Sequence, residues 1–400
     1  MGTRYRVYFT PKTNLETYGD EVEVSEWVRS NLGEITRSID SAEYSIGVFT
    51  YADLTLVLDN SEGVFNDPND SRSMFKYSRD LCKVRINYTD DDGTTLTFRG
   101  LIADEATRVL AKEDDIELTV LGRDSVLRKA QVASGTVTNG MTFLQAMNAI
   151  LNSQEITRVL GFNAANINPS YNGTVDDGSK FAKKSKKDAI DELLVASNSI
   201  MLLDHDDNIV VRSRAHKTDK DPLYLYGKGD LHGRENITDV DGYNTGRHRV
   251  FNSIKVNDTE VTDETSKNEY GLRTKEATPA WITNSVTETA VANALLSEFK
   301  HPKIEVKVQI ATKLAKGYDL LDRVSVDYPL VRTKSGQFFP VSGVTVSGDV
   351  NSPVPYVSGS VVIDPNIAFK IIEISENPQS FLTTLLLRQV GTGTSDGTFT

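Results

Sequence analysis

The chain has 400 residues, enough for two to four domains, and its 38% apolar and 25% charged residues exclude wholesale disorder. Its net charge of −12 argues against a surface built to grip nucleic acid, because phosphate binding needs clustered Lys and Arg. No apolar run approaches the roughly 18 residues of a membrane helix, and the single cysteine, Cys82, excludes a disulfide framework or a cysteine-based zinc site. The opening MGTRYRVYFTPKT has no apolar stretch of the secretory kind, so neither export by a leader nor membrane insertion is expected.

Residues 1–125 read as all-β. Glu21 to Val28 alternates charged and apolar residues, and Ser45 to Asn60 carries two apolar runs. Lys83 to Thr89, Thr94 to Asp104 and Ile116 to Gly122 follow, with the period-two pattern of half-buried strands. Asp90 to Gly93 and Ala111 to Asp115 read as hairpin turns between them. Short, evenly spaced strands with such turns predict a barrel or a sandwich.

Residues 126–215 change character and predict a small α+β module. Thr142 precedes a helix with Leu144, Met147, Ile150 and Leu151 on one face. Ser185 and Asp188 have capping-box spacing before a second helix, whose stripe is Ala189, Ile190, Leu193 and Leu194. Ile200 to Leu203 and Ile209 to Val211 flank DHDDN as a hairpin.

Residues 216–390 return to β and predict a second barrel. Its centre runs from Lys267 to Pro329: a Tyr-Gly turn, a capped helix, an alternating strand, a Gly-Tyr-Asp turn and another strand. Ser285 and Glu288 read as a capping box, and Ala290, Val291, Ala294, Leu295 and Phe299 as the buried helix face. Pro302 stops the helix; Ile304, Val306, Val308 and Ile310 alternate after it, and Val324 and Val326 mark the next strand. An insertion near 332–365 reads as a projecting hairpin or loop, Lys370 to Ile374 and Thr383 to Arg388 as a final strand pair, and 391–400 as a flexible tail.

Groups with the look of chemistry each have a plainer reading. Asp204 to Asn208 is the most metal-like cluster, yet it lacks the later Glu and the Gly of a calcium loop, and a turn fits it better. Asp90 to Asp92 and the pair Asp219 and Asp221 fall for similar reasons. His205, His216, His232, His248 and His301 show no zinc-hydrolase spacing, and no phosphate loop or nucleophile elbow is present. Lys183, Lys184, Lys186 and Lys187 form the one dense basic run, read as a solvated helix entrance; the functional alternative is a contact for an acidic partner surface or nucleic acid, with a salt bridge to another subunit as its minor form. No catalytic, cofactor or metal residue is therefore assigned.

The order of these motifs resembles phage tail hub proteins, those of contractile baseplates and the N-terminal regions of tail-associated proteins in long non-contractile tails. The resemblance rests on Tyr270-Gly271, the helix from Val286 to Lys300, Pro302, Asp322 to Val326 and the ending Leu387-Arg388-Gln389-Val390. It extends to the front half, through SIGVF, TFRGLIADEATR and IELTVLGRDSVLRKA. The family favours Gly-Asp before the V-x-V strand, where this chain has Leu321-Asp322.

The resemblance implies a mainly β fold with α+β insertions: two tail-tube-like barrels, each carrying a helix, plus the middle module. It implies a homotrimeric, pseudo-sixfold ring at the distal tip of the virion tail, joining the tube or a distal tail ring protein to a central spike or fibre. Tape-measure protein and DNA would pass through the lumen without sequence-specific binding. The rival readings are a receptor- or carbohydrate-binding tail protein, for which Phe338, Phe339 and Tyr356 are candidate contacts, and a cell-wall hydrolase, which no motif supports.

Overall fold

The computed structural model describes residues 5–29, 33–39, 49–51, 54–89, 93, 95–110, 114–204, 207–215, 217–227, 234–244, 246–332, 360–363 and 368–390. The turn 90–92, most of the insertion, the tail, and His205, His216 and His232 lie outside them, as do Phe338, Phe339 and Tyr356.

A six-stranded antiparallel sheet is built from Tyr5–Thr10, Lys83–Thr89, Thr95–Leu110, Asp115–Gly122 and Leu54–Asp59, with Val22–Glu23 at one edge. Successive side chains of a strand point to opposite faces, so Val84, Ile86 and Tyr88 turn inward with Leu54, Leu56, Leu58, Ile116, Leu118 and Val120. Glu21 to Val28 is not the continuous strand its alternation predicts. Ser25 Oγ takes the Val7 N–H at 3.0 Å, and Ser25–Trp27 winds into a 3₁₀ turn. The segment thereby crosses from one edge of the sheet to the other. Val24 N–H reaches Val7 O at 2.7 Å, and Arg29 N–H reaches Val57 O at 2.8 Å, so the sheet curls back on itself.

The second sheet runs Leu223–Tyr226, Arg323–Arg332, Ala368–Asn377, Leu382–Gln389, Glu305–Ala311 and Ile237–Asn244. Its first pair is parallel and the rest of this path is antiparallel. One side chain bridges the two outer strands: Asn236 donates to Tyr224 O at 2.9 Å and accepts from the Tyr226 N–H at 2.7 Å. This sheet is therefore curled as well. Ser360–Ile363 pairs antiparallel with Tyr328–Arg332, so the insertion leaves and returns through adjacent strands.

Ile35–Ile39 also belongs to the second sheet, although it precedes most of the first in sequence. It pairs antiparallel with Glu373–Glu376 and carries Phe49–Tyr51 on its other side. Arg37 secures it through Asp319 at 3.2 Å and Glu376 at 3.8 Å.

Between the sheets lie the helices Ser125–Lys129, Phe143–Leu151, Gln154–Thr157 and Lys186–Ala196, and the hairpin Ser199–Leu203 with Ile209–Ser213. Ser185 caps its helix by accepting the Asp188 N–H at 3.0 Å. The buried apolar side chains form two cores: one fills the first sheet, and the other joins Ile39 and Leu101 to the helical region and the second sheet as far as Leu387.

The helix Ser285–Phe299 rests on a separate three-stranded sheet, Ser253–Val256, Thr259–Thr262 and Thr274–Ala277. Its expected capping box is not formed. Asn284 is the cap, accepting the Val286 N–H at 2.8 Å. Glu288 is buried instead, where it accepts from Thr259 Oγ1 at 2.5 Å and Asn257 Nδ2 at 3.2 Å. The buried face is Thr287, Glu288, Val291, Ala292, Leu295 and Leu296, rotated about one position from the expected stripe because the hairpin draws Glu288 inward. The Tyr-Gly turn is the end of a helix, Glu264–Tyr270, closed by Gly271 at φ +75°.

Candidate functional site

The groups singled out in the sequence are occupied with holding the modules together. In the DHDDN hairpin, Asp204 accepts the Asn208 N–H at 2.8 Å and so closes the turn. Asp207, at φ +61°, faces Arg123 at 2.6 Å and Arg99 at 3.3 Å, which ties the hairpin tip to the first sheet. Burial pushes the Asp207 carboxyl up against the pull of those two arginines. Among the described residues, no three His, Cys, Asp or Glu side chains are grouped as metal ligands.

The basic run is solvated only in part: Lys183 is exposed and Lys184 half-buried, but the two lysines that open the helix are buried. Lys186 is buried against Ser153, with Glu155 at 3.1 Å. Lys187 is buried beside Asp191, and Lys184 pairs with Glu192. Their acids come from the same helix or its neighbour, so the charges are spent inside the chain. Cys82 is buried, and burial raises its thiol to about 11, which leaves it inert as a nucleophile.

A second joint meets the helix Ser285–Phe299 at its start. Asp176 Oδ2 accepts the N–H groups of Thr283 at 2.8 Å and Asn284 at 3.0 Å, placing a carboxylate on the positive end of the helix. Just before it, Trp281 is fully buried between Phe143 and Phe181, with ring centroids at 5.3 and 5.4 Å. At the second sheet, Asp322 is fully buried and accepts the Asp319 N–H at 2.6 Å, with Lys217 at 3.3 Å and Lys220 also paired to it. Leu321 beside it holds φ +67°, the conformation that the Gly of a Gly-Asp pair takes freely.

A cavity of about 430 Å³ opens where the helical region, the end of this helix and the second sheet meet. Arg214, Lys303, Lys370 and Glu298 are its charged lining, with His301 alongside. Glu298 lies 2.6 Å from Lys303 and 3.8 Å from Lys370, and Lys370 donates to the Arg214 carbonyl at 2.5 Å. Burial alone would raise the Glu298 carboxyl, but Lys370, Lys303 and Arg214 outweigh it and hold it at about 2. Burial lowers Lys370 to about 7, with Glu298 opposing and the neighbouring cations adding to the fall. Sequence reasoning missed this site because its charges come from positions 214, 298, 303 and 370, which no local pattern connects.

No family model and no curated protein matches the chain. Solved structures do match its fold over nearly the whole length. The tail protein from Neisseria meningitidis MC58 is similar at a TM-score of 0.55 and 12% identity, covering 97% of each chain. The 43 kDa tail protein of prophage MuSo2 from Shewanella oneidensis matches at 0.52 and 13%, covering 96% of this chain and 98% of that one. Prophage tail protein gp18 from Listeria monocytogenes EGD-e matches at 0.51 and 10%, covering 96% and 94%. The chain has the mainly β fold of phage tail proteins, with two curled sheets and few helices.

Proposed function

We propose that this protein is a structural hub at the distal end of a phage tail. The observation that carries the reading is the presence of two curled sheets in one chain, in a fold shared end to end with tail proteins. Three copies would present six such sheets, which can continue a sixfold tube while offering threefold symmetry to a central spike or fibre. The described joints support a structural part, since Asp207, Lys186, Lys187 and Asp322 are each paired within the fold. A net charge of −12 on each copy suits a ring through which DNA passes without sticking. The tube or distal ring protein and the tape-measure protein are the remaining partners in this reading, and the virion tail is the location.

Solution mass tests it. A closed trimer of this 44.2 kDa chain has a mass of about 130 kDa by light scattering or sedimentation. A strict monomer that binds a glycan would overturn the hub in favour of a receptor-binding role, and a hexamer would point to the distal ring instead.

A further inference from the structure

From the joint between the first sheet and the helical region we infer a docking site for an acidic segment of a partner protein, whose carboxylates meet Lys12 and Lys83. The site is built on the hairpin at residues 11–19, which continues the strand Tyr5–Thr10. Its backbone closes through Gly19 N–H to Pro11 O at 2.9 Å and Thr13 N–H to Thr17 O at 3.0 Å, with Lys12 opposite Tyr18. Lys12 N–H reaches Cys82 Sγ at 3.4 Å, and the Tyr18 hydroxyl donates to Leu81 O at 3.1 Å. The hairpin is thereby fixed beside the start of the strand Lys83–Thr89. Lys83 lays its ammonium over the Tyr18 ring, 4.3 Å from the centroid.

Lys12 and Lys83 are both half-buried, yet among the described residues no carboxylate lies within ion-pair distance of either. The acids of this joint are already engaged: Asp80 with Lys129 at 2.5 Å, Glu16 with Arg158 at 3.0 Å and Asp207 with Arg123 at 2.6 Å. Burial lowers both ammoniums from their ordinary value. Lys129 and Arg158 add to the fall at Lys12, and Arg123 adds to it at Lys83; Cys82 and Asp80 oppose it at the first, Asp207 at the second. A half-buried charge without a counter-ion is costly, and a carboxylate brought from outside relieves that cost. The two ammoniums do not converge on one point, since Lys12 lies toward Lys129 and Arg158 and Lys83 toward Arg123. Two carboxylates along a segment therefore fit better than one small oxyanion. Leu15, at the tip of the same hairpin, is 64% exposed, and a protein segment can cover it. A net charge of −12 repels a long polyanion such as DNA. The site does not depend on the tail reading, which bears only on which protein brings the acids.

Calorimetry on the full chain tests the inference, with a capped tetraglutamate peptide titrated at constant ionic strength and the tetraglutamine peptide as its uncharged control. Tetraglutamate should bind and tetraglutamine should not. Lys12→Gln and Lys83→Gln should each weaken binding about three- to tenfold, the range for a partly solvated ion pair, and the double variant should abolish it. Lys313→Gln, which removes an exposed lysine elsewhere, should bind as wild type. Neither ammonium has an acid partner to lose, so both single variants should melt close to wild type, which separates loss of binding from loss of fold. Equal heats from the two peptides, or lysine variants that bind as wild type, would overturn the site. Inorganic phosphate or a short DNA duplex that binds more tightly than the peptide, and loses affinity in the same variants, would overturn the carboxylate as its ligand.

Discussion

Leu321 donates its backbone N–H to the Ile371 carbonyl at 2.8 Å while holding φ +67°, and Ile371 returns the bond to Asp322 O at 3.0 Å. The turn therefore asks for glycine, and the core asks for leucine. A left-handed backbone costs a non-glycine residue about 1–2 kcal/mol, whereas truncating a buried leucine to alanine costs about 2–5 kcal/mol. Leu321→Gly should accordingly destabilise the fold, but by about 1 kcal/mol less than Leu321→Ala. That reverses the usual order of Ala over Gly, and urea unfolding of the two variants checks it. An alanine variant as stable as the glycine variant would remove the strain from the account.

The start of the helix Ser285–Phe299 separates a cap from a core contact. Asn284→Ala should cost about 1 kcal/mol, the usual value of a lost N-cap. Ser285→Ala, at a position that does not cap, should change stability by less than about 0.5 kcal/mol. Glu288→Ala should cost about 1–3 kcal/mol, because Asn257 and Thr259 lose a buried acceptor. Thermal denaturation of the three variants gives the ranking, and a large effect at Ser285 would restore the capping box.

The pH dependence carries the signature of Lys370. Its ammonium titrates at about 7 in the folded chain and at its ordinary 10.5 when unfolded. Between those values the unfolded chain holds a proton that the folded chain has released, so this group makes stability rise with pH across that interval. Below about 7 both states are protonated and the cost of the buried charge is present in full. Glu298 acts on the acid side: held at about 2, it contributes stability above its ordinary 4.5 that is lost as pH falls toward 2. Lys370→Met should flatten the rise between pH 7 and 9.5 in urea-unfolding profiles. Parallel profiles for variant and wild type would count against the buried ammonium.

The hairpin tip at Asp207 can be tested without disturbing its backbone. Asparagine tolerates φ +61°, so Asp207→Asn removes the charge shared with Arg123 and Arg99 and little else. A cost of about 1.5–3 kcal/mol is expected from lost charged hydrogen bonds. Faster amide exchange at Val210 to Arg212 should accompany it if the tip holds the hairpin against the first sheet. Unchanged exchange would make the contact incidental.

The strands that alternate cleanly, such as Lys83–Thr89 and Glu305–Ala311, were legible because one face is buried and the other is not. The hairpin around DHDDN was legible from its turn residues. Three features were not. Ile35–Ile39 is short, and its partner lies at the far end of the sequence, so nothing local marks it as part of the second sheet. Glu264–Tyr270 is a polar surface helix whose cap, Asp263, accepts the Ser266 N–H at 2.9 Å, and it has no apolar stripe to reveal it. Lys187 and Asp191 are an i,i+4 pair that the sequence does show, whereas Lys186 has its acid partner, Glu155, matched only in three dimensions. The cavity lined by Arg214, Glu298, Lys303 and Lys370 was hidden for the same reason on a larger scale.

Thr36 Oγ1 and Ser375 Oγ meet at 2.7 Å, although 339 positions separate them. On a ribosome adding about 5–20 residues per second, the first of these waits for tens of seconds before the second exists. The first curled sheet has all its strands by Gly122 and can close meanwhile, but Ile35–Ile39 must stay unpaired on its second-sheet side and act as an open edge. When Ala368–Asn377 finally emerges, any copy of that waiting strand satisfies it equally well. The strand of the same chain competes best because it is tethered nearby, so the last strands to be made stitch the molecule's two ends together and complete the fold only when synthesis is nearly over.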